Sequence, residues 1–257
     1  IINHSESKLL FITDLIWENI DVDQVPDLQA VISLNTMDLI VTGLPKIQAV
    51  DKMTIEELFA EKYPNGFGPD DVKYIERSNA EIASINYTSG TTGFSKGVVT
   101  PANALAGNII FGLRSNLVYP GCRHVAFLPL AHAYGCAFDF LACLAAGGHT
   151  HLIGRTPSPK ILMKAFAEVK PTLILSVPLI LEKIYKKMIQ PQISKTAVSW
   201  VLKMPLLDKV VLNKIREKLL NAFGGEFSQI IIGGAPLNAE VETFLRRIKF
   251  PVTVGYG

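Results

Sequence analysis

Short apolar runs of strand length recur along this chain and alternate with stretches of helical periodicity, which leaves few folds open to it. Strand patterns fall at 9–13, 30–34, 82–88, 98–100, 124–128, 150–153, 172–176, 230–232 and 252–254. Helical spacing fills most of the intervals, for example at 55–62, 158–169, 179–189 and 206–223. Strands that alternate with helices pair in parallel, because the helix serves as the crossover. The expected class is therefore α/β, with mostly parallel sheets layered with helices. No internal repeat or low-complexity tract interrupts the pattern.

A chain of 257 residues that is 49% hydrophobic and 19% charged can bury one large core or two small ones. A subdomain boundary is expected near 78–82. The tract 125–147 has the length of a membrane span, but Pro129, His132 and Asp139 break it. It reads instead as a buried strand ending near Leu128, followed by a core helix at 137–146. Cys122, Cys136 and Cys143 cannot all pair, and each sits among apolar residues, as free packed thiols in a reducing compartment do. The opening residues IINHSESKLLFITD place no basic leader before an apolar core and read as a strand already inside a domain. A cytoplasmic location is expected.

Residues 85–99, INYTSGTTGFSKGVV, set three glycines, several hydroxyls and Lys96 between two apolar runs. A Walker A loop is excluded: Ser95 stands where its second glycine should be, and Gly97 follows Lys96 where Ser or Thr should be. KGVVT reads as a second strand, so the loop joins strand to strand, with Thr100 expected as N-cap and Pro101 as first residue of the next helix. The loop still suits a polyphosphate. Gly90, Gly93 and Gly97 let backbone N–H groups approach, the hydroxyls of Thr88, Ser89, Thr91 and Thr92 donate, and Lys96 brings a mobile cation. The bland alternative is a flexible Gly/Thr hairpin, but five hydroxyl or glycine positions in a row exceed what a turn needs.

YTSGTTGFSKGVV resembles the phosphate-binding signature of the AMP-forming acyl-CoA synthetases, the adenylate-forming superfamily. FLPLAHAYG, at 127–135, resembles the segment whose His and aromatic lie beside the acyl pocket. IIGGAPLNAEVETFLRRIKFPVTVGYG resembles the adenine-binding segment. Three motifs in family order carry the resemblance across essentially the whole chain. Two positions depart from the family pattern: Ser95 replaces a proline before the loop lysine, and Ala102 stands where a His often follows the second strand. LPLAHAYG and the extended stretch 183–215 bring the likeness closest to the long-chain fatty-acid:CoA ligases.

The resemblance implies ATP, Mg2+ and the co-substrate CoA, with Thr88 to Lys96 on the phosphates, Lys96, Thr91 and His132 in catalytic roles, and Thr88 as a magnesium ligand. It implies an acyl pocket at His132, Tyr134 and Gly135, with an apolar wall around Tyr134, Gly135, Cys136 and Ala137 that faces Gly233 to Ala235. Adenine would meet Gly233, Gly234, Ala235, Pro236, Tyr256 and Gly257. Part of this is arguable from the pattern alone: 230–232 and 252–254 read as parallel strands, so GGAP and GYG leave the sheet side by side, where ligands of open α/β sheets bind. Their bridging helix carries Leu237, Val241, Phe244, Leu245 and Ile248 at helical spacing. Two ordinary glycine turns with a core tyrosine are the bland alternative. A lone His in an apolar segment such as His132 is more often a satisfied core residue; the family context moves it to the site. His149 and His151 share a strand face, but no Cys or carboxylate joins them at ligand spacing, and they are assigned no metal.

From residue 183 to 218, nine Lys/Arg stand against Asp208 and Glu217. A solvated helical face explains this blandly. Peripheral attraction to an anionic inner membrane surface, and contact with CoA phosphates, are the sharper alternatives. No aromatic-and-basic interleaving points to nucleic acid.

In the family, a magnesium-binding Glu, a ribose-binding Asp and a lid domain with a catalytic Lys follow the position of Gly257, so the chain is expected to be an inactive piece of the large domain. The expected whole-protein activity is ATP-dependent activation of a long-chain fatty acid and transfer to CoA. An adenylating enzyme that loads a carrier protein, and a non-catalytic nucleotide-binding module, are the alternatives.

Overall fold

The computed structural model describes residues 1–42, 55–89, 95–154, 156–194 and 207–255. They fall into two compact units, Ile1–Thr100 and Pro101–Gly257. In the first, β1 (Leu9–Ile12), β2 (Ala30–Ser33) and β3 (Leu39–Thr42) form one sheet in that order. β1 and β2 are parallel, with Leu9 opposite Ala30, and β2 and β3 are antiparallel. The sequence does not signal β3, because three apolar residues and a threonine without alternation carry no periodic signal. It is set up by a turn in which Ser33 Oγ accepts from the N–H groups of Asn35 at 3.0 Å and Thr36 at 3.2 Å.

β4 (Ile82–Ser89) pairs with β5 (Ser95–Pro101), so the glycine-rich loop does join strand to strand. Both strands are longer than their apolar runs. Gly97 has a packing role here: a Cβ on it would lie 3.1 Å from Ile85 Cγ2 and 3.3 Å from the Tyr87 ring. The Tyr87 hydroxyl meets His4 Nδ1 at 2.6 Å. The units divide after Thr100, near the end of β5, and the boundary expected near 78–82 falls inside the first unit.

The second unit holds two parallel pieces of sheet. β6 (Arg123–Ala126) pairs with β7 (His149–Leu152). β8 (Leu173–Ser176), β9 (Gln229–Ile232) and β10 (Val252–Val254) form a parallel sheet in the order β10-β9-β8. Arg123 ties β6 to the residue before β8: its N–H donates to Thr172 Oγ1 at 3.0 Å and its carbonyl accepts from Thr172 N at 2.8 Å. The expected α/β class, with mostly parallel pairing, is what forms.

The helices follow their sequence signals with small shifts. Ser158 caps Pro159–Val169 by accepting from Ile161 N, with proline in the first turn. Asn238 caps Ala239–Arg247 through Glu240 N and Val241 N. Leu237, Val241, Leu245 and Ile248 are buried as their spacing requires, with Phe244 at the edge of the core. Thr100 does not cap the next helix: Ala102–Arg114 starts one residue later, with Pro101 in the cap position, because Thr100 and Pro101 are still extended in β5.

The tract 125–147 turns from strand at Ala126 into a π-helical stretch, Gly135–Ala142, which passes into Cys143–Ala145. Likewise Pro178–Ile184 continues as the π-helical Tyr185–Ile189. Among the described residues no helix is long and apolar enough to cross a membrane. The basic stretch 183–218 lies outside the described residues between 195 and 206.

Candidate active site

Because β8, β9 and β10 are parallel, their carboxyl ends share one edge, and the glycines leave the sheet there. Gly233 N donates to Ser176 O at 3.0 Å and Gly255 N donates to Ile232 O at 2.7 Å, which extends both ladders by one rung. Gly234 then turns the chain away with φ +86°, a left-handed conformation that favours glycine.

Gly233 is glycine for a second reason. A Cβ there would stand 3.2 Å from Tyr134 Cε1 and 3.3 Å from Cζ. The Tyr134 ring lies across this glycine, its hydroxyl donating to Ile231 O at 3.1 Å and its edge meeting Phe138 at a centroid distance of 6.1 Å. Burial, with a smaller push from the Asp139 charge, drives the Tyr134 phenol well above its ordinary value, so it stays a neutral donor. Tyr134 reaches this place because the chain doubles back just before it. Gly135 is buried, and a Cβ on it would lie 3.1 Å from both Leu128 Cβ and Pro129 O.

A cavity of about 580 Å³ opens on this face, lined by Asn108, Ala133, Tyr134, Ala137, Phe138 and Ile231 together with Gly233, Gly234 and Gly255. None of the described lining residues is charged, and among them Asn108 and Tyr134 bring the only polar side chains. Such a space accepts a flat or apolar group with few directional contacts.

The structure thus brings Tyr134, Gly233 and Gly234 together. Gly135 supports Tyr134 from behind and does not line the cavity, and His132 is exposed and outside the lining. Ala235 and Pro236 are exposed on the segment between β9 and its helix. Thr88 and Lys96 are exposed on β4 and β5, while Ser89 closes β4. Gly90, Thr91, Thr92 and Gly93 lie outside the described residues, as do Tyr256 and Gly257. Sequence reasoning missed Asn108, one of two amides within the otherwise apolar helix Ala102–Arg114. It also missed Phe138, which the π-helical turn presents beside Tyr134; Ala137, expected on the acyl wall, does line the cavity.

Among the described residues, one group of three His, Cys, Asp or Glu side chains could share an ion: Cys122, His124 and Cys143, all buried. None of them is near Thr88 in sequence, and Thr88 gathers no such group. Mg2+ keeps several waters and is usually held by substrate phosphates with one or two carboxylates, so it needs no group of this kind, and no step is assigned to it. His149 and His151 are exposed on β7 and take no part in the group.

The family model described as AMP-binding enzyme matches residues 1–257. Long-chain-fatty-acid–CoA ligase 4 of Saccharomyces cerevisiae is 33% identical over 208 residues, covering 73% of this chain and 29% of that protein. Long chain acyl-CoA synthetase 3 of Arabidopsis thaliana is 29% identical over 209 residues, covering 71% of this chain and 30% of its own length. The chain therefore spans about a third of the length of these curated relatives. The A-PCP didomain of carboxylic acid reductase from Segniliparus rugosus, solved in complex with AMP, superposes with a TM-score of 0.66 at 20% identity, over 98% of this chain and 36% of that one. ATP-bound MatB from Rhodopseudomonas palustris gives 0.64 at 19% identity, over 100% and 41%. These two likenesses show the fold of adenylate-forming enzymes. With the family model matched along its whole length, the chain belongs to the AMP-binding enzyme family.

Proposed function

We propose that the protein to which this chain belongs activates a long-chain fatty acid. The carboxylate attacks the α-phosphate of ATP, giving acyl-adenylate and pyrophosphate, and the thiol of CoA then displaces AMP. The observation that carries this reading is the uncharged cavity beyond the carboxyl ends of β8, β9 and β10, with Tyr134 lying across Gly233. The names of the curated relatives support the acyl class. In this reading the main chain at Gly233 to Pro236 lies along the adenine, and the loop from Thr88 to Lys96 neutralises charge on the departing pyrophosphate. Tyr134 and its apolar neighbours receive the acyl chain.

The deciding experiment measures pyrophosphate release by the full-length protein against a ladder of acids from acetate to stearate. Each buried CH₂ contributes about 0.8 kcal/mol, so kcat/KM should climb by roughly fourfold per methylene until the cavity is filled. A peak at acetate or at an amino acid would sink the long-chain assignment. A finer probe is Gly233→Ala: its methyl must push the Tyr134 ring by a few tenths of an ångström. We expect kcat/KM for the fatty acid to fall about three- to tenfold with little change in thermal midpoint. An unaltered profile would mean that the Tyr134–Gly233 contact plays no part in substrate binding.

A further inference from the structure

A second constellation lies inside the same unit, and none of its residues lines the cavity. Cys122 immediately precedes β6, His124 is on that strand, and Asp139 and Cys143 come from the helical segment packed behind it. Cys122, His124 and Cys143 are fully buried, and one ligand atom from each lies within 4.8 Å of the others. The two sulfurs are 3.7 Å apart. That is far beyond a disulfide bond. It matches the edge of a tetrahedron whose sulfurs lie about 2.3 Å from a central zinc, roughly 3.8 Å.

Two further observations point into the same place. Asp139 is buried with Oδ1 3.4 Å from His124 Nδ1, yet neither imidazole nitrogen and neither carboxylate oxygen makes a hydrogen bond. His124 Nδ1 and Asp139 Oδ1 at least face each other; His124 Nε2 and Asp139 Oδ2 face no partner at all, and buried groups of this kind are nearly always satisfied. Gly148 closes the other side: a Cβ there would stand 2.5 Å from Cys122 Sγ and 2.7 Å from Cys143 Sγ, so only glycine lets both sulfurs converge. Val118, Ala142 and Ala146 complete an apolar wall around the cysteines.

We propose that Cys122, Cys143 and His124 bind one thiolate-preferring cation, Zn2+, with Asp139 holding the imidazole in place. On binding, both thiols lose their protons to solvent, and the two thiolates balance the charge of the ion. Asp139, outside the ligand set, has the position of the carboxylate that orients a metal-bound histidine. The ion would tie the start of β6 to the helical segment behind it, so its role is structural. This inference stands independently of the acyl-CoA reading.

The test is metal content by mass spectrometry of the full-length protein, purified without chelator, then loaded with Zn2+ and desalted. We expect about one equivalent per chain, a thermal midpoint that rises with Zn2+ and falls with chelator, and a thiolate-to-metal charge-transfer band in the Co2+ form. Cys122→Ser, Cys143→Ser and His124→Ala should lose the equivalent, and Cys136→Ser should keep it. Should the variants not fold, the stoichiometry and Co2+ spectrum of the unmutated protein decide by themselves. Less than about a tenth of an equivalent after loading would overturn the proposal. So would a Cys122–Cys143 disulfide in the non-reduced protein, or a bound ion retained by all three ligand variants.

Discussion

In the full-length protein, Lys96→Ala should lower fatty-acid-dependent pyrophosphate release by about 10²- to 10³-fold while leaving the fold intact. Lys96 is exposed on β5, one residue before Gly97, and no described contact ties it to the core of its unit. Its removal should therefore cost little stability. The expected loss lies in the reaction. Negative charge gathers on the departing pyrophosphate, and removing one positioned donor from such a site costs roughly 3–4 kcal/mol. Lys96→Arg keeps the cation but changes its shape and hydration, so it should recover only part of the rate. The measurement pairs pyrophosphate release with a thermal melt. An unchanged rate would remove Lys96 from the phosphate site, and a collapsed melt would show that it supports the hairpin instead.

What the sequence made legible, and what it did not, follows from the range of the interactions involved. The parallel strands β8, β9 and β10 were readable because apolar runs alternate with an amphipathic helix, a local pattern. The placement of Gly233 beside Gly255 came with them, since parallel strands must end together. The approach of Tyr134 to Gly233 is legible only through the family resemblance, which sets the wall around Tyr134 opposite Gly233 to Ala235; no periodicity links residues 99 positions apart. Gly135 was taken for a wall of the acyl pocket on its proximity to Tyr134, but its Cα faces Leu128 and Pro129. The cysteines were read as isolated packed thiols; only the fold brings Cys122 to Cys143 and both to His124, because the π-helical turn sets the register of the segment behind β6. No metal-binding spacing in the sequence announces that meeting.

A large loss of stability should come from Gly224→Ala. The helix Leu207–Ala222 ends with Phe223 buried and stacked on Phe166 at a centroid distance of 5.5 Å, and the chain must then reverse at once. It does so through Gly224 at φ +94° and Gly225 at φ +76°, whose N–H groups donate to Asn221 O and Leu220 O. Alanine at either position would take on a left-handed backbone, at about 1–2 kcal/mol. At Gly224 a second cost adds to it. The new Cβ would stand 2.5 Å from Phe166 O, 3.0 Å from Lys170 Cα and 3.2 Å from Pro171 Cδ, mostly backbone that cannot rotate away. Forcing an atom into a filled site typically costs a further 1–3 kcal/mol, so Gly224→Ala should lose about 2–5 kcal/mol in all. At Gly225 the nearest atom to a new Cβ is Asn221 Oδ1 at 3.7 Å, which is ordinary contact. Gly225→Ala should therefore lose only the backbone part. Urea denaturation of the two variants separates the effects, since both share the left-handed cost and only one has the overlap. Equal losses would mean that the Phe166 carbonyl gives way without penalty and that conformation alone requires glycine at this turn.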